Sequence, residues 1–251
     1  MSGHSKWSTI KHKKGKTDAA RGAAFSKLIR EITTAARIGG GDIDANPRLR
    51  SAVDSAKTIN MPADNVDRAI KKGTGELPGV TYEETVYEGY GPSGVALLIR
   101  ALTDNKNRST SEVRHVLDKY GGSMGSAGSV AWQFKSQGLI VVSKDKAEED
   151  AVLTAALEAG ADDVQTEASA YSILTPLGAF EKVKKQLKDS GIEPESAELT
   201  MVAANNVKLG EHDAPKVLKL IEMLEELEEV QQVYANFDIS DEILEKIAAA
   251  E

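Results

Sequence analysis

Ala24, Leu28, Ile32 and the pair Ala35/Ala36 recur at three- and four-residue steps, with Phe25 and Ile29 alongside, as they do on a helix that buries one face. The pattern opens at Asp18, and the run Gly39, Gly40, Gly41 ends it. A second helix is predicted from Asn46 and Pro47, a cap followed by a proline that has no amide to satisfy. It turns Leu49, Val53 and Ala56 inward and ends near Asn60. A third runs from about Pro62 to Lys72, burying Val66 and Ile70, with Gly73 as its stop. Three short helices make a small bundle, and Gly73 to Gly79 is a joint.

After the joint the period changes. Thr85 to Tyr90 and Val95 to Leu102 read as strands around the turn Gly91, Pro92, Ser93, Gly94. Ser109 to Glu112 has the form of a capping box, opening a helix to Tyr120 that Gly121 closes. Val130 to Phe134 reads as another strand. From Gly138 the order is strand (Leu139 to Ser143), helix (Ala147 to Ala159), strands (Val164 to Glu167 and Tyr171 to Leu174), helix (Ala179 to Ser190) and strand (Glu198 to Ala203). That is the ferredoxin-like βαββαβ order. A short strand at Val207 to Leu209, a helix from Ala214 to Glu228 and a strand from Val233 to Phe237 follow. The expected fold is α+β: an N-terminal three-helix bundle (1–80) and two α/β, ferredoxin-like domains. One of them (135–205) is inserted in the other (81–134 with 206–251).

Composition bounds the function. A chain of 251 residues with 41% apolar and 28% charged positions suits two or three globular domains. It has no apolar run near the roughly 18 residues that a membrane span needs. The basic first sixteen residues lack the apolar stretch of a secretory signal. Cysteine is absent, which excludes disulfides and thiolate metal sites, and the reading is a cytoplasmic protein.

The net charge of −8 conceals a strong asymmetry. Residues 1–80 hold 15 Lys/Arg against 8 Asp/Glu, and the rest of the chain holds 16 against 31. Such a split points to a polyanion-binding end and an acidic end that solvates the protein or selects a protein partner.

Three patterns resemble catalytic motifs without their context. Gly89, Gly91 and Gly94 match G-x-G-x-x-G, but a strand follows and Pro92 removes an amide, so a hairpin turn is the better reading. Gly121, Ser123 and Gly125 match G-x-S-x-G between a helix and a strand, the reverse of a nucleophile elbow, and read as a flexible exposed loop. His4, His12, His115 and His212 show no metal-ligand spacing, and Glu225, Glu226, Glu228 and Glu229 share a solvated helix face. No metal or cofactor is expected and no catalytic residue is assigned. An enzyme would need a titratable pair in a cleft between the α/β domains, and Asp104 with His115 is the pair to inspect.

The basic end carries the candidate site. Lys11, Lys13, Lys14 and Lys16 are interleaved with glycine, Lys6 precedes them, and Trp7 offers either a stacking face or a plug for the bundle. Arg21 follows. Lys27, Arg30, Thr34 and Arg37 fall on one helix face beside the apolar stripe. Arg48, Arg50, Arg68, Lys71 and Lys72 extend the set from the other two helices. The expected partner is nucleic acid, with DNA and RNA both open, since nothing marks a major-groove recognition helix.

The same residues resemble a known family. Residues 1–14 (MSGHSKWSTIKHKK), 25–32 (FSKLIREI), 40–50 (GGDIDANPRLR) and 60–75 (NMPADNVDRAIKKGTG) are similar to blocks of the YebC/PmpR proteins. So are 87–96 (YEGYGPSGVA), 102–108 (LTDNKNR) and 111–115 (SEVRH). The resemblance implies a three-domain cytoplasmic protein with a helical N-terminal domain and two α/β domains. It implies a DNA-binding transcriptional regulator. The family also includes a mitochondrial translational activator, and members linked to relief of ribosomes stalled at proline-rich stretches; in that alternative reading ribosomal RNA is the expected partner. Its basic N-terminal positions match Lys6, Lys11, Lys13, Lys14, Arg21, Lys27 and Arg30.

If about six phosphates are neutralised, a fourfold rise in salt should weaken binding on the order of 10³-fold. Fluorescence anisotropy with a labelled oligonucleotide measures this, and a salt-independent affinity contradicts the polyanion reading.

Overall fold

The computed structural model describes residues 18–167 and 169–250. The bundle consists of α1 (Asp18–Gly39), α2 (Pro47–Thr58) and α3 (Ala63–Thr74). Ile32, Ala35 and Ala36 of α1 meet Leu49, Val53 and Ala56 of α2 and Val66 and Ala69 of α3 in one core. Asn46 fastens the first corner. Its side-chain oxygen accepts from the Leu49 amide at 3.1 Å, and its amide group donates to the carbonyls of Ala35 and Gly40, both at 2.9 Å. One buried side chain thus ends α1 and starts α2.

Gly73 does not stop α3. The helix runs through it to Thr74, and Gly75 takes the left-handed cap position with φ of 85°. Gly73 is instead where α3 crosses α1: a Cβ there would lie 2.4 Å from the Thr33 carbonyl oxygen and 2.7 Å from the Ala36 Cβ. A glycine near a helix end can serve either purpose, and only the crossing helix decides between them.

The first sheet has the order β3-β1-β2-β9, antiparallel throughout, from β1 (Glu83–Tyr90), β2 (Ala96–Thr103), β3 (Ser123–Met124) and β9 (Val230–Ala235). It opens on a hairpin, with Tyr87 opposite Ile99 and the turn at Pro92–Gly94, as the G-x-G-x-x-G reading required. The helices α4 (Lys106–Lys119) and α7 (Ala214–Glu226) cover one face, where Leu97, Ile99, Leu117, Leu220, Ile221 and Val233 are buried. A short parallel pair, β8 (Val207–Lys208) with β10 (Phe237–Asp238), and the helix α8 (Asp241–Ala250) complete this part. The sequence pattern did not disclose α8.

The second sheet has the order β5-β6-β4-β7, from β4 (Phe134–Ser143), β5 (Asp163–Thr166), β6 (Ala170–Thr175) and β7 (Ser196–Ala203). With α5 (Glu149–Ala159) and α6 (Phe180–Asp189) on one face, it follows the ferredoxin-like path. The two sheets are not copies, because the first begins with a hairpin and the second with a β–α–β step.

Three local expectations change. Asn105, not Ser109, caps α4: its side chain accepts from the Arg108 amide at 3.1 Å, and Ser109 is buried inside the helix. Ser123–Met124 is an edge strand opposite Tyr90 and Gly89 rather than a flexible loop. Val130 opens the 3-10 turn Ala131–Gln133 instead of a strand, because a carboxylate takes its amide. That carboxylate is Glu88, buried on β1, which accepts from the amides of Gly128 (2.6 Å), Val130 (2.7 Å) and Ala131 (2.8 Å). Burial pushes the carboxyl up, and the three amides outweigh it and hold it below the usual range. The tether therefore adds stability above the ordinary glutamate range and loses it as the pH falls through the lowered folded value.

Gly73→Ala should destabilise the chain by about 1–3 kcal/mol through overpacking. Gly75→Ala, strained but with open space around its Cβ, should cost about 1–2 kcal/mol. Urea unfolding of both variants checks this, and a neutral Gly73→Ala contradicts the close crossing.

Candidate nucleic-acid interface

The candidate cations fall into separate groups. Lys6, Trp7, Lys11, Lys13, Lys14 and Lys16 lie outside the described residues, and of Arg21 only its place on α1 is described. Lys27, Arg30, Thr34 and Arg37 do share a face of α1; Lys27, Arg30 and Thr34 are turned against the α/β body, while Arg37, though bonded to it, stays exposed. Lys27 donates to the Glu225 carbonyl and Arg37 to the Tyr82 carbonyl. Thr34 is buried.

Arg30 is the centre of this contact. Its side chain, 12% exposed, lies 2.9 Å from Glu228 and 3.8 Å from Glu229, and it reaches the Leu102 carbonyl at 3.4 Å. Its guanidinium also stands 5.2 Å from the centre of the Tyr82 ring. Glu229, with a side chain only 5% exposed, takes a second guanidinium from Arg108, which also holds Asp104 at 2.6 Å. The Glu229 hydrogen bond is the main cause that raises the Arg108 guanidinium further above its ordinary value.

A second bridge lies beside it. Glu31 of α1 accepts from Arg48 of α2 at 2.7 Å and from Arg100 of β2 at 2.9 Å. Glu84 of β1 binds the same two arginines at 3.1 and 3.6 Å. Arg50 donates to the carbonyls of Ile43 and Asp44 within the bundle. Arg68, Lys71 and Lys72 are exposed on α3, where Val66, Ala69 and Gly73 face inward. The last turn of α3 carries Lys71 and Lys72. Of the described candidates, these three leave their charge closest to solvent as one group.

No cluster of three or more His, Asp or Glu able to hold a metal occurs among the described residues. Asp104 and His115 do not meet: Asp104 precedes α4 and pairs with Arg108, while His115 is exposed roughly 15 Å further along the helix axis. No helix among the described residues is long and apolar enough to cross a membrane.

Residues 5–76 match the family described as "TACO1/YebC protein N-terminal domain", and residues 82–237 match "TACO1/YebC second and third domain". The chain belongs to the TACO1/YebC family. Among its relatives, the "Probable transcriptional regulatory protein GSU1074" of Geobacter sulfurreducens is 57% identical over 247 residues, covering 98% of this chain and all of the relative. A probable transcriptional regulatory protein of Syntrophus aciditrophicus is 53% identical over 250 residues, covering 99% of this chain and all of the relative. The crystal structure of the conserved hypothetical protein Aq1575 from Aquifex aeolicus superposes with a TM-score of 0.79 at 50% identity. That match covers 94% of this chain and 97% of the other.

Within this TACO1/YebC chain, sequence reasoning missed Glu31, Glu84, Glu88 and Glu229. The acidic run at 225–229 read as a solvated face, yet Glu229 sits on the turn between α7 and β9, where its carboxylate is withdrawn from water. No periodicity marks such a residue, because its partners come from distant segments.

Glu229→Ala should destabilise the chain by about 1.5–3 kcal/mol, leaving Arg30 and Arg108 without their shared acceptor. Glu228→Ala, at a side chain 60% exposed, should cost less than about 1 kcal/mol. Urea unfolding monitored by circular dichroism compares them, and equal effects contradict the assignment of Glu229 to the joint.

Proposed function

We propose that this chain is a non-catalytic, nucleic-acid-binding regulator of gene expression, a DNA-binding transcriptional regulatory protein acting in the cytoplasm. The observation that carries the reading is its similarity, along the full chain, to relatives named probable transcriptional regulatory proteins. The charge asymmetry supports binding at the N-terminal end, where Lys6, Lys11, Lys13, Lys14 and Lys16 precede α1. Arg68, Lys71 and Lys72 add a described basic patch on α3. The acidic remainder repels phosphate and leaves its surface to a protein partner.

One observation favours a second reading, a ribosome-associated translation factor that binds RNA. The arginine and lysine face of α1 is engaged with Glu225, Glu228, Glu229 and Tyr82. A helix so occupied does not offer that face to base edges in a major groove. The remaining cations suit phosphate contacts, which position a protein without reading sequence.

Cross-linking of tagged protein in growing cells, with recovered DNA and RNA sequenced in parallel, separates the two. Discrete promoter sites lost in a Lys11/Lys13/Lys14 triple alanine variant are expected for the transcriptional reading. A discrete ribosomal RNA site, lost in the same variant, replaces that reading with translation.

A further inference from the structure

The helical bundle meets the α/β body through charge. Among the described residues, the core of the bundle and the core under the first sheet are separate, with no side chain of one packed in the other. The chain that connects them, residues 75–81, is exposed throughout and forms neither helix nor strand. What joins the two parts is a set of cation contacts. Arg30 of α1 binds Glu228 and Glu229, and Lys27 donates to the Glu225 carbonyl. Beside them Arg48 reaches Glu84, and Glu31 holds Arg100. The Glu225 carbonyl belongs to the last turn of α7, where helix carbonyls lack amide partners and carry negative partial charge.

These contacts are arranged so that they can part. Glu31 keeps Arg48 within the bundle at 2.7 Å, Arg100 keeps Glu84 within the body at 3.6 Å, and Glu229 keeps Arg108. When the bundle lifts, no withdrawn carboxylate of the joint is stranded, which removes the main penalty for breaking such pairs. Arg30 is the exception. Its acceptors, Glu228, Glu229 and the Leu102 carbonyl, all lie beyond the connecting segment, as does the Tyr82 ring that it stands over. Separation therefore bares Lys27 and Arg30 beside Arg37, which is exposed already.

We propose that the turn from Glu225 to Glu229 is an autoinhibitory latch over a phosphate-binding face of α1, and that a nucleic-acid backbone opens it by taking Lys27 and Arg30 in its place. The proposal rests on the nucleic-acid reading above and concerns the regulation of that binding. Carboxylate and phosphate both offer a guanidinium paired oxygen acceptors, so one replaces the other. Arg68, Lys71 and Lys72, exposed in the closed chain, make the first contact, and opening adds the α1 face. A covered site binds with an affinity reduced by the fraction of molecules that are open, so loosening the latch tightens binding. Loosening a turn that is only a structural anchor leaves binding unchanged or weakens it.

The test uses the full chain with a twenty-base-pair DNA duplex and an RNA duplex of the same sequence. The chain has no cysteine, so nitroxide labels on Ser55→Cys of α2 and His115→Cys of α4, both exposed, report the distance between bundle and body by pulsed electron paramagnetic resonance. A longer distance whose share rises with added duplex is expected. Glu228→Gln should tighten binding by about 2- to 5-fold, because its pair with Arg30 is partly open to water. Glu226→Gln removes the same charge from an exposed side chain that has no bond to α1 among the described residues, and should leave the affinity near the parent's. Equal tightening by both variants would overturn the latch, since a change in the general field then explains it. Affinity of Glu228→Gln equal to the parent's or weaker makes the turn an anchor only and overturns it too. Binding by the parent with the distance unchanged discards the latch and keeps the proposed function. No binding of either duplex by the parent at low salt overturns that function and the latch with it. Opening by one duplex alone supports the latch and names the nucleic acid that displaces it. Urea unfolding at the parent's midpoint shows that Glu228→Gln is folded, as its exposure predicts.

Discussion

Glu229, withdrawn from water between Arg30 and Arg108, is the constraint that ties the helical bundle to the α/β body. A carboxylate in that position is costly unless both guanidinium groups are in place, so α1, α4 and the turn before β9 are fixed together. Glu31 repeats the device between α1, α2 and β2. The joint is made of charge more than of apolar surface, and salt bridges demand particular geometry where hydrophobic contact tolerates sliding. The bundle and the first sheet are thus linked through Arg30, Glu31, Arg48 and Arg100.

That joint divides the positive charge of the N-terminal region into two populations. Lys27, Arg30 and Arg48 are drawn into partly buried contacts with the protein, and Arg37, still exposed, is bonded to the Tyr82 carbonyl. Arg68, Lys71 and Lys72 keep theirs at the surface, on the helix whose other side packs against α1. In the proposed function, nucleic acid is met by the second population and by the lysines ahead of α1. The first population sets where that surface stands relative to the acidic body.

Glu88 does for a loop what Glu229 does for a joint. Three amides that would otherwise need water converge on one buried carboxylate, and the segment from Gly125 to Trp132 gains a fixed shape.

Much of this was legible in one dimension. The three helices of the bundle, the hairpin around Pro92 and the βαββαβ path of the second sheet follow from period, caps and turn residues, which act between near neighbours. The asymmetry of charge, and with it the end of the chain to suspect, needs only counting. What only the tertiary structure decided involves residues far apart in sequence: Gly73 as a crossing point rather than a stop, Glu229 as a buried anchor rather than a solvated face, and Arg30 as a joint residue rather than a free cation. A side chain's type and spacing determine which face of its own element it occupies. What meets that face is set by segments up to two hundred residues away, and the meaning of a charge depends on whether it meets water or a partner.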